Sequence, residues 1–191
     1  VVSSCVSEMD LFCGDGCFSF GGLIGRLSFT FLDNSYSIGQ ITAAATANTF
    51  GGLIGFRETA IFPIENCFTA CKLTGGNGTA VGGLIGAGGV SMTHCYFLSP
   101  ADGGGADNGI GVMLTASQMK RRDNFTGFDF LGYSDEDAAG IWRMCNNDVD
   151  YPKLSWQYTP GGDFNCPDGV EISDLSLFAG CLLSEENNGS R

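Results

Sequence analysis

The sequence predicts an all-β protein built as a parallel β-solenoid, or β-helix, of about three and a half coils. The pentapeptide GGLIG occurs at 21–25, 51–55 and 82–86, so its copies start 30 residues (21 to 51) and 31 residues (51 to 82) apart. A near-constant period of this length is typical of repeats that stack on their neighbours. Each period is rich in glycine, serine, threonine and β-branched residues and has no long apolar stripe at helical spacing, which favours short strands over helices.

A second element keeps the same register as GGLIG. Cys5, Ser35 and Cys67 stand 16, 16 and 15 residues before the successive copies, and Cys95 follows the last copy in the stretch HCYFLSP. We expect these small residues to form an inward ladder down a stack of coils about 4.8 Å apart. Cys67 and Cys95 are then neighbours, as thiols in the favoured interpretation and as a disulfide in the alternative. Leu and Ile of GGLIG are expected to alternate between faces, with one of the two pointing inward.

The cysteines favour disulfides over zinc. There are nine of them, with no CxxC pair and a single histidine, and this pattern indicates an oxidising, extracytoplasmic setting. Cys13 and Cys17 flank Gly-Asp-Gly, a tight loop that would let them bond. Cys67 and Cys71 have the same spacing as Cys13 and Cys17, but they lie in a predicted strand. Four strand residues span about 13 Å, which is too far for a disulfide between them. Two further candidates lie in the tail, Cys166 and Cys181.

The composition excludes some partners. The net charge is −12, from 21 acidic and 9 basic residues, which disfavours nucleic acid because phosphate binding requires a basic face. The apolar stretches fall well short of the roughly 20 residues of a membrane span, so no direct span is expected. The chain begins with Val and shows no signal peptide, so we expect a mature form or part of a longer protein.

Three segments are predicted: repeats over 1–100, a capping segment over 101–158 and a tail over 159–191. The capping segment is expected to be mixed α/β and to cover the open end of the solenoid, where a strand edge is a liability. In it, LTASQMKRR predicts a short helix with Thr115 as N-cap and Gln118 completing a capping box. Four aromatic residues are interpreted as buried capping residues, with stacking on sugar rings as the alternative: Trp142, Tyr151, Trp156 and Tyr158.

The tail has the composition of a small calcium loop followed by a helix. Calcium takes six to eight oxygen ligands from a compact acidic loop. Gly169 permits a sharp turn, whereas Pro167 shifts the loop against the usual spacing. A metal-free acidic turn is therefore the alternative to calcium. The candidate ligands are Asp163, Asn165, Asp168, the carbonyl of Val170, Glu171 and Asp174.

The stretches GGLIG, SSC, NCF and HCY together resemble the GLUG-repeat family of bacterial surface proteins and adhesins over roughly residues 1–100. The segment from LTASQMKRR to the Tyr-Pro-x-Leu at 151–154 resembles the part that closes such arrays. The tail is similar to a single dockerin-type, EF-hand-like repeat and to the CPDG tails of planctomycete surface proteins. The resemblance implies architecture and a surface location, and it implies no particular chemistry.

These observations predict an extracellular structural or adhesive surface protein, with end-to-end stacking into a fibre as a variant. Its expected partners are further copies, other surface proteins or glycans. We expect no enzymatic activity, because His94 is the one histidine and neighbouring strand residues such as His94 and Cys95 face opposite ways. The alternative is a carbohydrate-binding or carbohydrate-active β-helix module. Sequons at Asn77, Asn124 and Asn188 are candidate glycosylation sites.

Overall fold

The computed structural model describes residues 1–46, 48–76, 80–89, 91–130 and 140–157. The chain divides into two compact units, Val1–Phe128 and Asp129–Arg191. The first unit is a parallel β-solenoid, which confirms the predicted fold class. In the described residues helical structure is limited to 3₁₀ turns of three residues, and none of them has the length and apolarity needed to cross a bilayer.

Short strands make up each coil, and Gly-rich corners join them. The first coil contains β1 (Val2–Ser3), β2 (Val6–Glu8), β3 (Leu11–Cys13), β4 (Phe20–Gly21) and β5 (Ile24–Leu27). The second contains β6 (Leu32–Asp33), β7 (Tyr36–Ala43), β8 (Thr49–Gly51) and β9 (Ile54–Arg57). The third contains β10 (Ile64–Gly75), β11 (Ala80–Gly82) and β12 (Ile85–Gly88). A partial fourth coil contains β13 (Met92–Leu98), and β14 (Val112–Leu114) lies beyond it.

Three parallel sheets run down the stack, and the repeat read from the sequence sets their register. The largest contains β1, β2, β3, β6, β7, β10, β13 and β14, while β4-β8-β11 and β5-β9-β12 form the other two. The first glycines of the three GGLIG copies pair with one another, Gly21 with Gly51 and Gly51 with Gly82. Cys67 pairs with Cys95 in the large sheet. The predicted alignment of both elements is therefore confirmed.

The pentapeptide GGLIG turns a corner and does not continue a single strand. The strand before it ends at the first glycine, and the next begins at Ile, as at Gly51 and Ile54. A Cβ on the second glycine would enter the opposite wall of the coil: at Gly52 it would lie 2.8 Å from Thr69 Cγ2. A Cβ on the first glycine would collide with the carbonyl oxygen of the Ile three residues later. Both glycines are thus required by close approach.

The expected alternation of Leu and Ile within GGLIG is wrong. Leu53 and Ile54 are both fully buried, as are Leu84 and Ile85 in the next coil. Alternation holds only along a continuous strand, and here the corner rotates the backbone between the two residues. Both therefore join one core cluster, which also contains Leu27, Leu32, Ile64, Cys67, Cys95 and Phe97.

Residues 99–128 cover the C-terminal end of the stack. Gly83 donates its N–H to Ala106 O at 2.7 Å, and Asn108 Nδ2 donates to Ile85 O at 2.9 Å, so this segment replaces a fourth GGLIG corner. Phe125 packs edge-on against Phe68 and Tyr96, with ring centroids 5.5 and 5.2 Å away. The covering role expected of the capping segment is fulfilled here by its first part.

The helix predicted for LTASQMKRR is a pair of 3₁₀ turns, Gln118–Lys120 and Arg122–Asn124. The capping box itself is present. Thr115 N donates to Gln118 Oε1 at 2.9 Å, and Gln118 N donates to Thr115 Oγ1 at 3.2 Å. The box therefore caps a single turn, and the chain returns to an extended conformation at Arg121.

In the second unit, β15 (Trp142–Arg143) and β16 (Lys153–Leu154) form an antiparallel pair, followed by a 3₁₀ turn at Ser155–Gln157. The Trp142 side chain is fully buried, in line with a structural role. Trp156, in contrast, is 60% exposed on the 3₁₀ turn. Only Trp156 of these two is therefore available for stacking on a ligand.

Candidate functional site

A repeated turn precedes the ladder position in each coil. Four residues adopt the left-handed backbone conformation there, with φ of 53°, 44°, 50° and 53°: Ser4, Asn34, Asn66 and His94. The next side chain donates to the carbonyl two residues before it, at distances of 3.4, 2.7, 3.1 and 3.4 Å for Cys5, Ser35, Cys67 and Cys95. The ladder thus consists of small hydrogen-bond donors that close a turn.

This turn explains the recurring Asn-Cys, Asn-Ser and His-Cys dipeptides. Asn is among the few non-glycine residues that tolerate the left-handed region, and Cys and Ser are both small donors. The turn also separates His94 from Cys95, because His94 is exposed whereas Cys95 is buried. Sequence analysis noted the cysteines of this motif but missed the role of the residue before them, which the repeated Asn could have indicated.

The ladder brings Cys67 and Cys95 together inside the solenoid. Cys5, Cys67, Cys71 and Cys95 are free thiols, and all but Cys5 are buried. Burial raises the pKa of the Cys67 thiol well above its usual value. The pKa of Cys95 is lowered, because the Cys67 side chain hydrogen-bonds to it and because the positive charge of Arg57 is close.

Arg57 is a buried cation within the same core. Its exposure is 1%, and Nη1 donates to Ser91 O at 3.1 Å, while Nη2 has no hydrogen-bond partner among the described residues. Burial lowers the pKa of its guanidinium, and the proximity of Cys95 opposes that shift. Sequence analysis gave Arg57 no role. Its register with Leu27, a buried residue, marks the position as inward-facing.

The loop at the first coil carries the disulfide that the CGDGC spacing suggested. Cys13 and Cys17 are bonded, with Cα atoms 6.1 Å apart. Cys71, for which no partner was expected nearby, is a buried thiol in a cluster with Cys13, Ile41 and Phe50. Cys13 and Cys71 are thus both buried members of this second core cluster.

The first coil is the outermost coil on the N-terminal side of the described stack. A cavity of about 470 Å³ lies there, and Val2, Cys5, Leu23, Ile24 and Leu27 contribute to its lining. Large apolar side chains are also exposed throughout the first coil: Val1, Met9, Phe12, Phe18 and Phe29. In the described part of the chain, β1 pairs only with β6, β4 only with β8 and β5 only with β9. Core residues of the first coil therefore line a cavity, and its strands pair on one side within the described residues.

The hydrogen bonds at the GGLIG corners share one direction. At each corner the N–H groups point toward the next coil: Gly22 N donates to Gly52 O at 3.1 Å, and Gly52 N donates to Gly83 O at 3.1 Å. Leu23 and Ile24 likewise donate to Leu53 O, both at 3.0 Å. The carbonyls that would face a preceding coil are those of Gly22 and Leu23, and no hydrogen bond from a described residue reaches them. Elsewhere in the coil the direction is reversed, because Tyr36 N donates to Cys5 O at 3.0 Å and Ala44 N donates to Cys13 O at 2.8 Å.

Several sequence-predicted residues lie outside the described residues. These are the calcium candidates Asp163, Asn165, Asp168, Val170, Glu171 and Asp174, the cysteines Cys166 and Cys181, and the sequons at Asn77 and Asn188. The described residues contain no group of three His, Cys, Asp or Glu side chains positioned to hold a metal ion. Asn124 is described, and its Nδ2, the atom that would carry a glycan, donates to Gln118 O at 2.9 Å.

Fold and site together define a parallel β-solenoid protein in which residues 99–128 cover the C-terminal end of the stack. Comparison with known proteins finds a relative of this chain. The chain is 35% identical, over 165 residues and 83% of its length, to a protein of Evansella cellulosilytica named "Putative Gly-rich membrane protein". It spans 18% of the length of that relative. No family model matches the chain. No solved structure matches it.

Proposed function

We propose that this chain is the structural part of an extracellular surface protein, with a stalk-like or adhesive role. The observation that carries the proposal is the use of both repeated motifs for architecture. The GGLIG residues form the corners and allow neighbouring coils to pack closely. The Asn-Cys or Asn-Ser motif forms a turn and places a small residue in the core. A stack of this kind offers long regular faces, which suit a structural or adhesive role better than a catalytic one.

Two further observations support the proposal. The relative in Evansella cellulosilytica is named as a membrane protein, which is compatible with a protein held at the cell surface. The Cys13–Cys17 disulfide fits an oxidising compartment. The resemblance to GLUG-repeat surface proteins and the calcium-binding tail belong to the same proposal.

The two ends of the stack bear on how such a stalk is assembled. Residues 99–128 cover the C-terminal end of the stack and use the Gly83 N–H, so a further copy cannot add a GGLIG corner there. An adhesin stalk or scaffold is therefore favoured over a fibre made of identical stacked copies.

The experiment is to follow the protein in the cells that produce it. Antibody labelling of intact cells and electron microscopy of the purified native protein should show surface exposure and isolated rods. Absence of labelling on intact cells, with strong labelling after lysis, would refute the surface role. Regular filaments in the purified material would favour the fibre variant instead.

A carbohydrate-binding or carbohydrate-active module is the second candidate, and the exposed indole of Trp156 is the observation that favours it. Exposed aromatic rings stack on sugar faces. Retention on acidic and neutral polysaccharides, compared between the unmodified protein and Trp156→Ala, would support this role. Trp142→Phe, at a buried position, serves as the control for an unspecific effect on folding.

A further inference from the structure

We infer that Cys67 and Cys95 form a buried dithiol site that reacts with hydrogen peroxide. Cys95 is oxidised first, Cys67 then closes a disulfide between the third and fourth coils, and Arg57 supplies the positive charge that favours the first step. The sequence leaves a disulfide between these cysteines open as an alternative, and the structure adds the order of reaction, the cation and the oxidant. The inference goes beyond the proposed surface role and does not depend on it.

The separation of the two cysteines suits a disulfide. Cys67 and Cys95 are register partners on the adjacent parallel strands β10 and β13. Such strands lie about 4.8 Å apart, within the Cα separations of about 4.4–6.8 Å that disulfides span. Both side chains belong to one core cluster, and Cys95 Sγ reaches into the third coil, where it donates to Ile64 O at 3.5 Å. The bond can therefore form without a change of register.

Arg57 is anchored beside the same strand. Ser91 O accepts hydrogen bonds from Ile64 N at 3.0 Å and from Arg57 Nη1 at 3.1 Å. Ile64 thus has the anchor of Arg57 at its N–H and the Cys95 sulfur at its carbonyl oxygen. The guanidinium is buried, and among the described residues it has no salt bridge and no partner for Nη2. Because a buried cation without a counter-charge is unfavourable, Arg57 favours a reaction that places negative charge on Cys95.

The surroundings of the two sulfur atoms set the order of reaction. The thiolate is the reactive form of cysteine. The hydrogen bond from the Cys67 side chain lowers the pKa of Cys95, and the charge of Arg57 acts in the same direction, while burial opposes both. Burial raises the pKa of Cys67 well above its usual value. Cys95 therefore loses its proton first, and Cys67 stays a thiol until the second step.

The burial of the site selects a small oxidant. Cys67 is completely buried, and Cys95 and Arg57 are nearly so. A bulky disulfide such as oxidised glutathione cannot reach these sulfur atoms while the coils stay packed. Hydrogen peroxide is only slightly larger than water, so small local openings of the structure admit it. Nη2 of Arg57 is a donor with no partner among the described residues, and a peroxide oxygen is an acceptor that suits it.

The reaction balances in two steps. The Cys95 thiolate attacks one oxygen of hydrogen peroxide, the O–O bond breaks, and Cys95 becomes a sulfenic acid. The hydroxide that leaves takes up the proton lost by Cys95 and becomes water. The Cys67 sulfur then attacks the Cys95 sulfur, the S–O bond breaks, and the hydroxyl leaves as water with the Cys67 proton. Each sulfur is oxidised by one electron, and the peroxide is reduced to water.

The test uses the purified full chain, reduced with dithiothreitol and then freed of it under argon. After addition of hydrogen peroxide, samples are taken over time, and the remaining thiols are blocked with N-ethylmaleimide in guanidinium chloride. Peptide mapping by mass spectrometry identifies each bonded, blocked or oxidised cysteine. We expect the Cys67–Cys95 disulfide to form at least about tenfold faster than Cys71 is oxidised. Cys71 is the internal control, because it is a buried thiol on the same strand as Cys67.

The ladder provides the matched substitution for each cysteine, because Ser35 occupies the same position in the second coil and closes the same turn. In Cys67→Ser, Cys95 should still be oxidised and should stop at a sulfenic acid that dimedone traps. In Cys95→Ser, oxidation of Cys67 should be at least about tenfold slower than oxidation of Cys95 in Cys67→Ser. Circular dichroism checks that both variants are folded.

The role of the cation is tested by Arg57→Met, which keeps a long side chain and removes the charge. Formation of the disulfide should become at least about tenfold slower. Arg57→Lys, which retains a charge, should react faster than Arg57→Met. The rate of Cys71 oxidation should be the same in all three proteins, whereas a loosened core would raise it.

Equal oxidation rates in the two serine variants, or oxidation of Cys71 before Cys67 and Cys95, would overturn the inference. An unchanged rate in Arg57→Met, or equal rates in Arg57→Lys and Arg57→Met, would overturn the role of the cation. Oxidised glutathione that acted as fast as hydrogen peroxide would refute a site open only to small molecules. The comparison of the serine variants remains decisive even if Arg57→Met fails to fold, and all these measurements are separate from the labelling of cells.

Discussion

Cys67 and Cys95 occupy the same register position on neighbouring strands, and both side chains are buried in the core of the solenoid. Cys5 stands at the same position in the first coil and is partly exposed. One ladder therefore contains thiols with the same local turn and very different access to solvent. This contrast makes the ladder a reporter of coil packing.

We expect Cys5 to react with iodoacetamide at least about 100-fold faster than Cys67 or Cys95 in the folded protein, because the buried thiols react only when the coils open. Peptide mapping by mass spectrometry after timed labelling measures each site. Labelling in guanidinium chloride, where all thiols should react alike, is the control. Comparable rates in the folded state would mean that the third and fourth coils do not pack as described.

The buried thiol of Cys71 should make the protein less stable at alkaline pH. Burial raises the pKa of Cys71 in the folded state, so above the unfolded pKa the unfolded chain releases a proton that the folded chain retains. The neutral Cys71 thiol contributes fully to stability below its pKa in the unfolded chain. This contribution is lost as the pH rises toward its pKa in the folded protein, with a limiting slope of about 1.4 kcal/mol per pH unit. Urea denaturation at neutral and alkaline pH measures the effect.

The control for this alkaline effect is Cys71→Ala. This substitution lowers the stability at neutral pH by removing core contacts. The variant should nevertheless lose less stability than the unmodified protein when the pH is raised to alkaline values. An identical alkaline loss in both proteins would assign the effect to other groups.

Gly52→Ala should destabilise the solenoid by about 3 kcal/mol or more, because its Cβ would overlap Gly83 O and press on Thr69. Gly14→Ala is the matched control, since nothing lies within 4 Å of a Cβ at that position. Chemical denaturation followed by circular dichroism compares the two variants. Similar stabilities would show that the corner does not require glycine for close approach.

At Asn66, glycine should be tolerated better than alanine. Its φ of 50° is in the left-handed region, where a Cβ costs about 1 kcal/mol and glycine is free of that cost. Lys72 lies in the same strand with an ordinary backbone conformation and an exposed side chain, so there alanine should be tolerated better than glycine. Free energies of unfolding for the four variants test this inversion. The same order at both positions would argue against the left-handed turn.

Calcium binding by the tail is expected from residues 163–174. Titration calorimetry of the full chain with calcium should show one site, and Asp163→Ala or Asp168→Ala should abolish the signal while the circular dichroism of the solenoid stays unchanged. Magnesium, which prefers a stricter octahedral arrangement, is the control cation. No calcium heat in the unmodified protein would favour the metal-free acidic turn.

The sequence alone was sufficient for the solenoid and its register. GGLIG and the ladder cysteines recur at a common offset, and periodic residues must stack when each repeat packs on the next. The capping box of Thr115 and Gln118 could also be read locally, because it involves side chains three residues apart. The length of the element that follows could not be read, since tertiary packing decides whether one turn continues as a helix.

Other features depended on contacts between residues far apart in the sequence. Strand alternation predicted one inward side chain for Leu53 and Ile54, whereas the corner buries both. The buried position of Arg57 follows from its stacking on Leu27, and the covering of the C-terminal end follows from contacts such as the hydrogen bond from Gly83 N to Ala106 O. By itself the sequence determined what repeats and at what spacing. Only the tertiary structure decided which way the backbone groups point at the corners and which residues cover the C-terminal end, because these depend on the three-dimensional path of the chain.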